Sequence, residues 1–322
     1  MKGPEVSIVV PTYNGALYLK ECLRSALNQT FTDIEIVVVD DCSTDRTWDM
    51  AEAFSKRHKR IRAFRNPVRQ GLAGNWNRSI QHCTGRWIKF LFQDDVLDQT
   101  CIQRMLEAAK PKGTVSSPFV VCDRRFIMEK GVPEILRDFY ENRVAPIREI
   151  FPGRDRIPAR EFSKAILEQG VGENFIGEPS SVMLRRELCF DYAGFNPNLI
   201  HLCDLEYWTR IGTHEGMGYV PEPLNSFRVH SRSASARNHA VRGVEVAYLD
   251  RLILLHDYLF TPWYARLRCV PGAEAQLQDR LTRDLNRVAG LLADPQGSGP
   301  PGFFRAFLGR YPVLNAYLAR TD

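Results

Sequence analysis

The chain has 322 residues, of which 44% are hydrophobic, and a formal net charge of +5. A chain of this composition can bury a large core, which excludes an intrinsically disordered protein. Because no basic run dominates, the small positive charge argues against a dedicated nucleic-acid-binding protein, although it permits an acidic ligand or a membrane surface as partner.

Cysteine spacing and hydropathy bear on metal sites and on location. The eight Cys are scattered, with no Cys-x-x-Cys pair and no Cys/His cluster of zinc spacing, so we expect reduced thiols and no structural zinc. The start, "MKGPEVSIVVPTYNG", has too short an apolar run for a signal peptide, and no later segment approaches the roughly 20 apolar residues of a spanning helix. We therefore expect a cytoplasmic protein and leave peripheral contact with the inner face of the membrane open.

Strands and helices alternate along the first hundred residues. The β-branched runs "VSIVVP" (6–11) and "DIEIVVVDD" (33–41) are separated by a segment whose apolar residues fall at helical spacing. A helix near 45–58, the strand "RIRAFRN", a helix near 72–82 and the strand "WIKFLFQ" follow. This order predicts an α/β fold with a mostly parallel central sheet and helices on both faces.

Polar residues gather where the predicted strands end. The clusters are Thr12, Tyr13 and Asn14; Asp40 and Asp41; and Asp94 and Asp95. Ligands of parallel sheets bind beyond the carboxyl ends of the strands. Two adjacent carboxylates repel each other, so their convergence there favours a divalent cation and a phosphorylated ligand. Alternatively, Asp95 or Asp98 caps the helix that begins near Thr100 and the neighbouring carboxylate is solvated.

The second half of the chain is less regular. Residues from about 125 to 178 contain four Pro and predict an insertion or a variable subdomain. A helical pattern covers about 240–292, and the break "PQGSGPPG" (295–302) precedes a last amphipathic piece, "GFFRAFLGRYPVLNAYLARTD". With Arg305 and Arg310 beside its apolar residues, this tail can lie in a membrane interface. It can equally pack back on the rest of the chain or form an oligomer contact.

A family resemblance adds to this interpretation. The segments "VSIVVPTYNGALYLKECLRSALNQTFTDIEIVVVDDCSTDRT", "NPVRQGLAGNWNRSI" and "GRWIKFLFQDD" resemble the family-2 glycosyltransferases, inverting enzymes of the GT-A fold. The resemblance covers about 5–110 closely and resumes at "DLEYWTRI" and "FRVH". It implies a GT-A-like domain at 1–235, divided into a nucleotide-binding half at 1–110 and an acceptor- and base-bearing half at 111–235. A helical C-terminal extension at 236–322 would follow.

The resemblance also implies an activity. A sugar would move from a nucleoside-diphosphate sugar, with UDP or dTDP as the expected nucleotide, to an acceptor hydroxyl with inversion. The implied cofactor is Mn²⁺ or Mg²⁺. The acceptor can be a saccharide, a lipid-linked molecule or a small molecule, and the sequence does not choose among them.

Particular residues match positions of the family motifs. Tyr13 matches the aromatic residue that stacks on the donor base, framed by Pro11 and Thr12 and followed by Asn14. Asp40 matches the residue that accepts a hydrogen bond from an N–H of the donor base, and Asp41 would support the same loop. Asp94 matches the residue that contacts the ribose, and Asp95 and His230 match metal ligands. Asp204 matches the catalytic base.

Local structural roles compete with these assignments. A strand-end turn or a helix cap is the alternative for Tyr13, Asp40 and Asp204. Glu206 is the second candidate for the base. Trp76 and Trp208 are candidates for a sugar site or for the core.

Two other functions fit parts of the sequence. A non-catalytic nucleotide-sugar-binding protein could keep the fold, but binding alone has no use for a base at Asp204. A sugar nucleotidyltransferase also combines a parallel sheet with paired Asp residues. That class needs a Gly-rich basic loop near its start, which "VPTYNGALYLK" lacks.

Overall fold

The computed structural model describes residues 3–110, 116–144, 146–238, 248–292 and 302–318. These residues contain nine strands in a single mixed sheet. The strands are β1 (Val6–Thr12), β2 (Ile34–Asp40), β3 (Ile61–Arg65), β4 (Trp87–Phe90), β5 (Val96–Leu97), β6 (Phe119–Met128), β7 (Arg156–Ile157), β8 (Val182–Arg185) and β9 (Met217–Val229).

The sheet is mostly parallel, as the sequence predicts. Its order is β3-β2-β1-β4-β8-β6-β9-β5, with β7 paired to β9. Strands β1, β2, β3, β4, β6 and β9 run in one direction, and β5, β7 and β8 run against them. The carboxyl ends of β1, β2 and β4 therefore meet at one edge, where the predicted site residues lie.

Helices cover both faces of the sheet, which confirms the predicted architecture. The first four helices are α1 (Leu19–Leu27), α2 (Thr47–Arg57), α3 (Leu72–Gln81) and α4 (Cys101–Ala109). Side chains of α1 and α4 share one buried cluster, represented by Leu23 and Met105. Trp76 of α3 belongs to a second cluster on the opposite face, together with Trp208.

The segment from about 125 to 178, expected to be a variable subdomain, takes part in the sheet and its packing. Its elements are α5 (Glu134–Asp138), a π-helical turn (Phe139–Arg143), α6 (Ile147–Ile150), β7 and α7 (Ala159–Gln169). Phe162 of α7 is buried in the larger core cluster. A short 3-10 turn (Pro179–Ser181), α8 (Leu188–Asp191) and α9 (Cys203–Glu215) follow.

Strand β9 contains an irregularity that affects the site. Its pairing with β6 shifts register on both sides of Asp123, next to Pro221 and Pro223. Proline lacks the N–H that a sheet ladder requires, so a bulge at these residues is expected. Beyond the shift the ladder continues from Arg124 opposite Asn225 to Met128 opposite Val229, which places Arg228 opposite Ile127.

The C-terminal part of the chain is helical and packs on the sheet domain. It comprises α10 (Asp250–Phe260), a 3-10 turn (Pro262–Tyr264), α11 (Ala265–Arg268), α12 (Ala273–Leu292), α13 (Gly302–Arg310) and α14 (Pro312–Leu318). The larger core cluster runs from the sheet through α9 into these helices. The division at residue 235 therefore stays a prediction.

The tail helices α13 and α14 bury most of the apolar residues singled out in the sequence. Phe304, Phe307, Leu308 and Leu314 are buried in the larger core cluster. The ring of Tyr311 lies 5.1 Å from that of His256 on α10. The side chain of Phe303 and most of the Gly/Pro break lie outside the described residues. None of the described helices is long and apolar enough to cross a membrane.

Candidate functional site

A cavity of about 1010 Å³ opens at the carboxyl ends of the parallel strands. A second cavity of about 600 Å³ adjoins it, and the two share Gln93, Asp94 and Arg232. Of the predicted site residues, the larger cavity is lined by Pro11, Thr12, Tyr13, Asp41, Asp94 and Asp204, and the smaller one by Asn14, Asp94 and His230. Among the described residues, Asp40 and Asp95 are in the lining of neither.

The end of β1 is fixed to the end of β4 by a side-chain amide. Gln93 accepts a hydrogen bond from the N–H of Tyr13 at 2.9 Å and donates one to its carbonyl at 3.1 Å. Gly15 is required there, because a Cβ at this position would lie 2.1 Å from the Gln93 side chain. The guanidinium of Arg69 sits 4.2 Å from the centroid of the Tyr13 ring. Tyr13 is therefore held in place with a cation over its ring.

Asp40 faces its own loop. It accepts hydrogen bonds from the backbone and hydroxyl of Ser43 and from Thr12, and Arg65 lies 3.5 Å away. Its side chain is fully buried and lines neither cavity. The contact with the base N–H that the resemblance implies for Asp40 stays a prediction, and in this structure the carboxylate is separated from the cavity.

Asp41 has the access to the cavity that Asp40 lacks. It accepts hydrogen bonds from Asn66 at 2.9 Å and from the backbone N–H groups of Gln70 and Gly71 at 2.7 and 3.0 Å. These three bonds leave about one acceptor position of the carboxylate free. Asp41 therefore shapes the loop beside Tyr13 and can still accept a hydrogen bond from a ligand.

Asp94 pairs with His230 at the junction of the two cavities. His230 Nε2 lies 2.9 Å from Asp94 Oδ2, and the Tyr18 ring packs 4.8 Å from the imidazole. Two adjacent ligands that each lie about 2.1 Å from an octahedral cation are about 3 Å from each other. The spacing of these two atoms therefore fits a shared divalent cation.

The remaining coordination positions would belong to other molecules. The described residues contain no group of three or more His, Cys, Asp or Glu side chains placed to hold a metal. Mg²⁺ commonly keeps several waters and binds through one or two protein ligands plus substrate phosphates. A carboxylate oxygen with an imidazole nitrogen is also a donor set that suits Mn²⁺.

Asp95 points into the protein, away from the cavity. Its side chain is 0% exposed, accepts a hydrogen bond from Ser180, and accepts a second from the backbone N–H of Arg228 at 2.9 Å. Burial and the neighbouring charge of Asp94 raise its pKa. Asp95 thus ties the end of β9 to the turn that bears Asp94, and the metal contact that the resemblance implies for Asp95 stays a prediction.

Asp98 forms a turn just before α4 and does not cap it, because the N-cap residue is Thr100 and no side chain caps the helix. The Asp98 side chain accepts hydrogen bonds from the backbone N–H and the hydroxyl of Thr100 at 2.9 and 2.7 Å, at the start of α4.

Asp204 opens α9 and faces the larger cavity. Its carboxylate accepts hydrogen bonds from the N–H of Leu205 at 2.7 Å and from the Asn174 side chain at 3.3 Å. Burial and the charge of Glu178 raise the pKa of Asp204 to about 7. A carboxylate whose pKa lies near neutral pH can both accept and release a proton under physiological conditions.

Glu206, the second candidate for the base, has no such access. It is buried and forms an ion pair with Arg210 at 2.7 Å and a hydrogen bond with Tyr264. Trp208 and Trp76 both belong to the larger core cluster, and Trp76 also lines the larger cavity. Asp204 and Trp76 are therefore the members of the two pairs that reach the cavity.

Asp250 is a site-supporting residue that sequence reasoning missed. It lies buried at the start of α10 and accepts hydrogen bonds from three consecutive backbone N–H groups, of Ile200 at 3.0 Å, His201 at 2.5 Å and Leu202 at 2.9 Å. These residues lead directly into the helix that carries Asp204. The only sequence signal was one Asp beside the apolar run "LILL".

Comparison with known proteins gives concordant matches. The family profile described as "Glycosyl transferase family 2" matches residues 7–168, just over half of the chain. The putative glycosyltransferase EpsH of Bacillus subtilis is 28% identical over 315 residues, covering 92% of this chain and 85% of EpsH.

Two solved structures share the fold. S. aureus TarS, solved in complex with UDP, is 18% identical with a TM-score of 0.54, covering 88% of this chain and 71% of the TarS chain. The mannosyltransferase PcManGT from Pyrobaculum calidifontis, solved with GDP-Man and Mn²⁺, is 21% identical with a TM-score of 0.58, covering 98% and 85%.

Proposed function

The chain belongs to glycosyltransferase family 2, and from that premise we propose that it transfers a sugar from a UDP- or dTDP-sugar to an acceptor hydroxyl with inversion of configuration. The family, the GT-A-like fold and the glycosyltransferase activity expected from the sequence are thereby confirmed. The observation that carries the finer proposal is one cavity lined by Tyr13, Asp94 and Asp204, with His230 bonded to Asp94.

The donor base would bind at the end of β1. In our proposal Tyr13 stacks on the base, and Asp41 replaces Asp40 as the acceptor for its N–H, because Asp41 lines the cavity and Asp40 does not. Pro11 and Thr12 form the adjacent wall. TarS was solved with UDP, which supports a pyrimidine nucleotide, whereas PcManGT was solved with GDP-Man.

The diphosphate would lie where the two cavities meet. We assign the metal to Asp94 and His230, replacing the expected pair of Asp95 and His230. When bound there, Mn²⁺ or Mg²⁺ would neutralise charge that develops on the departing diphosphate. The exposed Arg232, which lines both cavities, offers a second positive charge beside Asp94. Asn14, in the smaller cavity, would approach the same group.

Asp204 would act as the general base. Its carboxylate takes the proton of the acceptor hydroxyl while the acceptor oxygen forms a bond to the anomeric carbon. The bond from that carbon to the diphosphate oxygen breaks on the opposite face, and the nucleotide leaves with the electron pair. The pKa of about 7 supports this role, because much of Asp204 is then deprotonated at neutral pH yet basic enough to accept a proton.

The C-terminal tail gives little support to a lipid-linked acceptor. Phe304, Phe307, Leu308 and Leu314 are buried against the rest of the chain, so they are not available to insert into a membrane interface. The three acceptor classes expected from the sequence all stay open to the test of acceptor binding.

A thermal-shift panel tests the proposal. Nucleotide sugars with uridine, thymidine and guanosine are each added with manganese and with a chelator. A bound donor stabilises the folded protein by mass action, so a UDP- or dTDP-sugar should raise Tm, and more so with manganese. Equal shifts with manganese and with chelator would contradict the metal assignment, and a shift with guanosine donors alone would contradict the nucleotide.

A further inference from the structure

An aromatic wall lies in the larger cavity on the side that bears Asp204. It consists of Phe139, Tyr140 and Phe227, all of which line that cavity. Phe139 is 42% exposed and, unlike the more exposed Phe190, lies beside two further aromatic residues in the lining of the cavity. None of these residues has a part in the donor site described above, so the wall calls for a ligand of its own.

The rings of the wall pack against one another and against Phe126. The ring of Tyr140 lies 5.2 Å from Phe139, 5.2 Å from Phe126 and 5.6 Å from Phe227. Phe139 and Tyr140 begin the π-helical turn, and such turns are frequent at functional sites. Phe227 belongs to β9, which ends at the site. The exposed face of Phe139 is thus supported by neighbouring aromatic rings.

Polar groups accompany the aromatic wall. Arg124 Nε lies 2.7 Å from Glu178 Oε2, and their side chains are 6% and 17% exposed. Both residues line the cavity, as does Asn174, which also bonds Asp204. Gly177 makes room for this pair, since a Cβ there would lie 2.7 Å from the Arg124 guanidinium. The site therefore offers a flat apolar face beside fixed donors and acceptors.

This combination matches the surface of a pyranose ring. A pyranose presents C–H bonds on one face, which interact favourably with the negative face of an aromatic ring, and hydroxyls around its edge. A negatively charged group on the sugar that reaches Asp204 would be repelled by the ionised carboxylate that removes the proton, which favours a neutral sugar at this position. We propose that Phe139, supported by Tyr140 and Phe227, is the platform on which a neutral acceptor sugar stacks beside Asp204, an inference that rests on the proposed function.

The platform and the donor base site are formed by different elements that line the same cavity. Tyr13 and Asp41 lie at the ends of β1 and β2, whereas Phe139 follows α5 and Phe227 lies near the end of β9. Loss of Phe139 should therefore weaken acceptor binding and leave binding of the nucleotide unchanged. The Arg124–Glu178 pair would form hydrogen bonds with hydroxyls at the edge of the sugar. Asp204 would contact the hydroxyl that reacts with the donor.

Saturation-transfer difference NMR with UDP and manganese present tests this assignment. The probes are methyl glycosides of glucose, galactose, mannose, N-acetylglucosamine and glucuronic acid. At least one neutral glycoside should receive saturation on one ring face, and Phe139→Ala should weaken its binding at least about fivefold. Phe139→Trp should retain binding. Phe190→Ala is the matched control, because Phe190 is 56% exposed and absent from the lining of both cavities.

The outcomes distinguish this inference from the proposed function. UDP should receive saturation equally in the wild type and in all three variants; if UDP fails to bind the wild type, the proposed function itself is wrong. If UDP binds but no neutral glycoside receives saturation, or Phe139→Ala binds the glycoside as well as the wild type, the platform is refuted. Stronger binding of the glucuronide than of the glucoside would refute the preference for a neutral sugar.

Discussion

Replacing Asp204 with Asn tests both the proposed base and its surroundings. Asn has nearly the same shape and its carbonyl can still accept the 2.7 Å hydrogen bond from Leu205, so the start of α9 should keep its conformation. The amide cannot take a proton from the acceptor. We therefore expect kcat to fall at least about 100-fold with the affinity for UDP unchanged.

The change of kcat/KM with pH in the wild type gives a second quantitative test of the base. With the pKa of Asp204 raised to about 7, about 9% of the carboxylate is ionised at pH 6 and about 91% at pH 8. A general base acts only when deprotonated, so kcat/KM should rise about tenfold over this range and level off above it. The rise of kcat/KM with pH follows because the raised pKa of Asp204 keeps part of the carboxylate protonated below pH 7.

The raised pKa of Asp204 also predicts that Asp204→Asn is more stable than the wild type at high pH. The pKa of Asp204 is raised in the folded protein, so the stabilisation it gives is complete below its ordinary value of 3.8 and is lost as the pH rises through about 7. Asp204→Asn should therefore be more stable than the wild type at pH 8, by at most about 4 kcal/mol. Near pH 4 the two should unfold alike.

Release of the nucleoside diphosphate measures turnover, and denaturant unfolding at pH 4 and pH 8 measures stability. Glu206→Gln is the matched control: it should lower stability, because Arg210 loses its charged partner, yet keep the turnover of the folded enzyme. Near-normal turnover of Asp204→Asn, or a flat profile between pH 6 and pH 8, would refute the assignment of the base.

Three further predictions concern the metal, the support of the base and the tail. Asp94→Ala and His230→Ala should each abolish the manganese dependence of UDP binding in calorimetry. Asp95→Ala should instead lower the free energy of unfolding by about 2 kcal/mol in denaturant unfolding. Unchanged manganese dependence in the first two variants would reassign the metal to Asp95. Asp250→Asn should lower kcat more than it raises the KM of the donor, because it loosens the loop that leads to Asp204. An unchanged pH profile of kcat/KM in this variant would show that Asp250 acts on stability alone. A chain that ends at Gly297 should unfold at a lower temperature because it loses buried side chains of α13 and α14, and retained stability with loss of binding to anionic liposomes would instead support a membrane anchor.

The sequence predicted the parallel sheet and the edge at which the site lies, because these follow from local periodicity. It did not resolve which member of each Asp pair faces the cavity. Asp41 follows the last residue of β2, and Asp94 and Asp95 lie in the turn between β4 and β5, so strand periodicity does not fix which carboxylate of each pair faces the cavity. Hydrogen bonds from distant residues, such as Ser180 to Asp95, settle the orientation in the structure.

Long-range contacts also explain why the sequence analysis did not single out Asp250 and Phe139. Asp250 supports residues about 50 positions earlier in the chain, and no local pattern marks such a contact. Phe139 lies in a segment whose Pro content suggested an irregular insertion, although α7 and β7 of the same segment pack into the fold. The sequence analysis therefore located the donor half of the site more fully than the acceptor half.

The stereochemistry of donor cleavage tests the central claim most directly. A nucleotide sugar identified by the thermal-shift panel is incubated with the enzyme and manganese in water, and proton NMR follows the first sugar released before its anomers interconvert. An inverting enzyme should release the anomer opposite to that of the donor, and Asp204→Asn should release sugar at least about 100-fold more slowly. Release of sugar with the donor's own configuration would contradict the single displacement and the role of Asp204 within it.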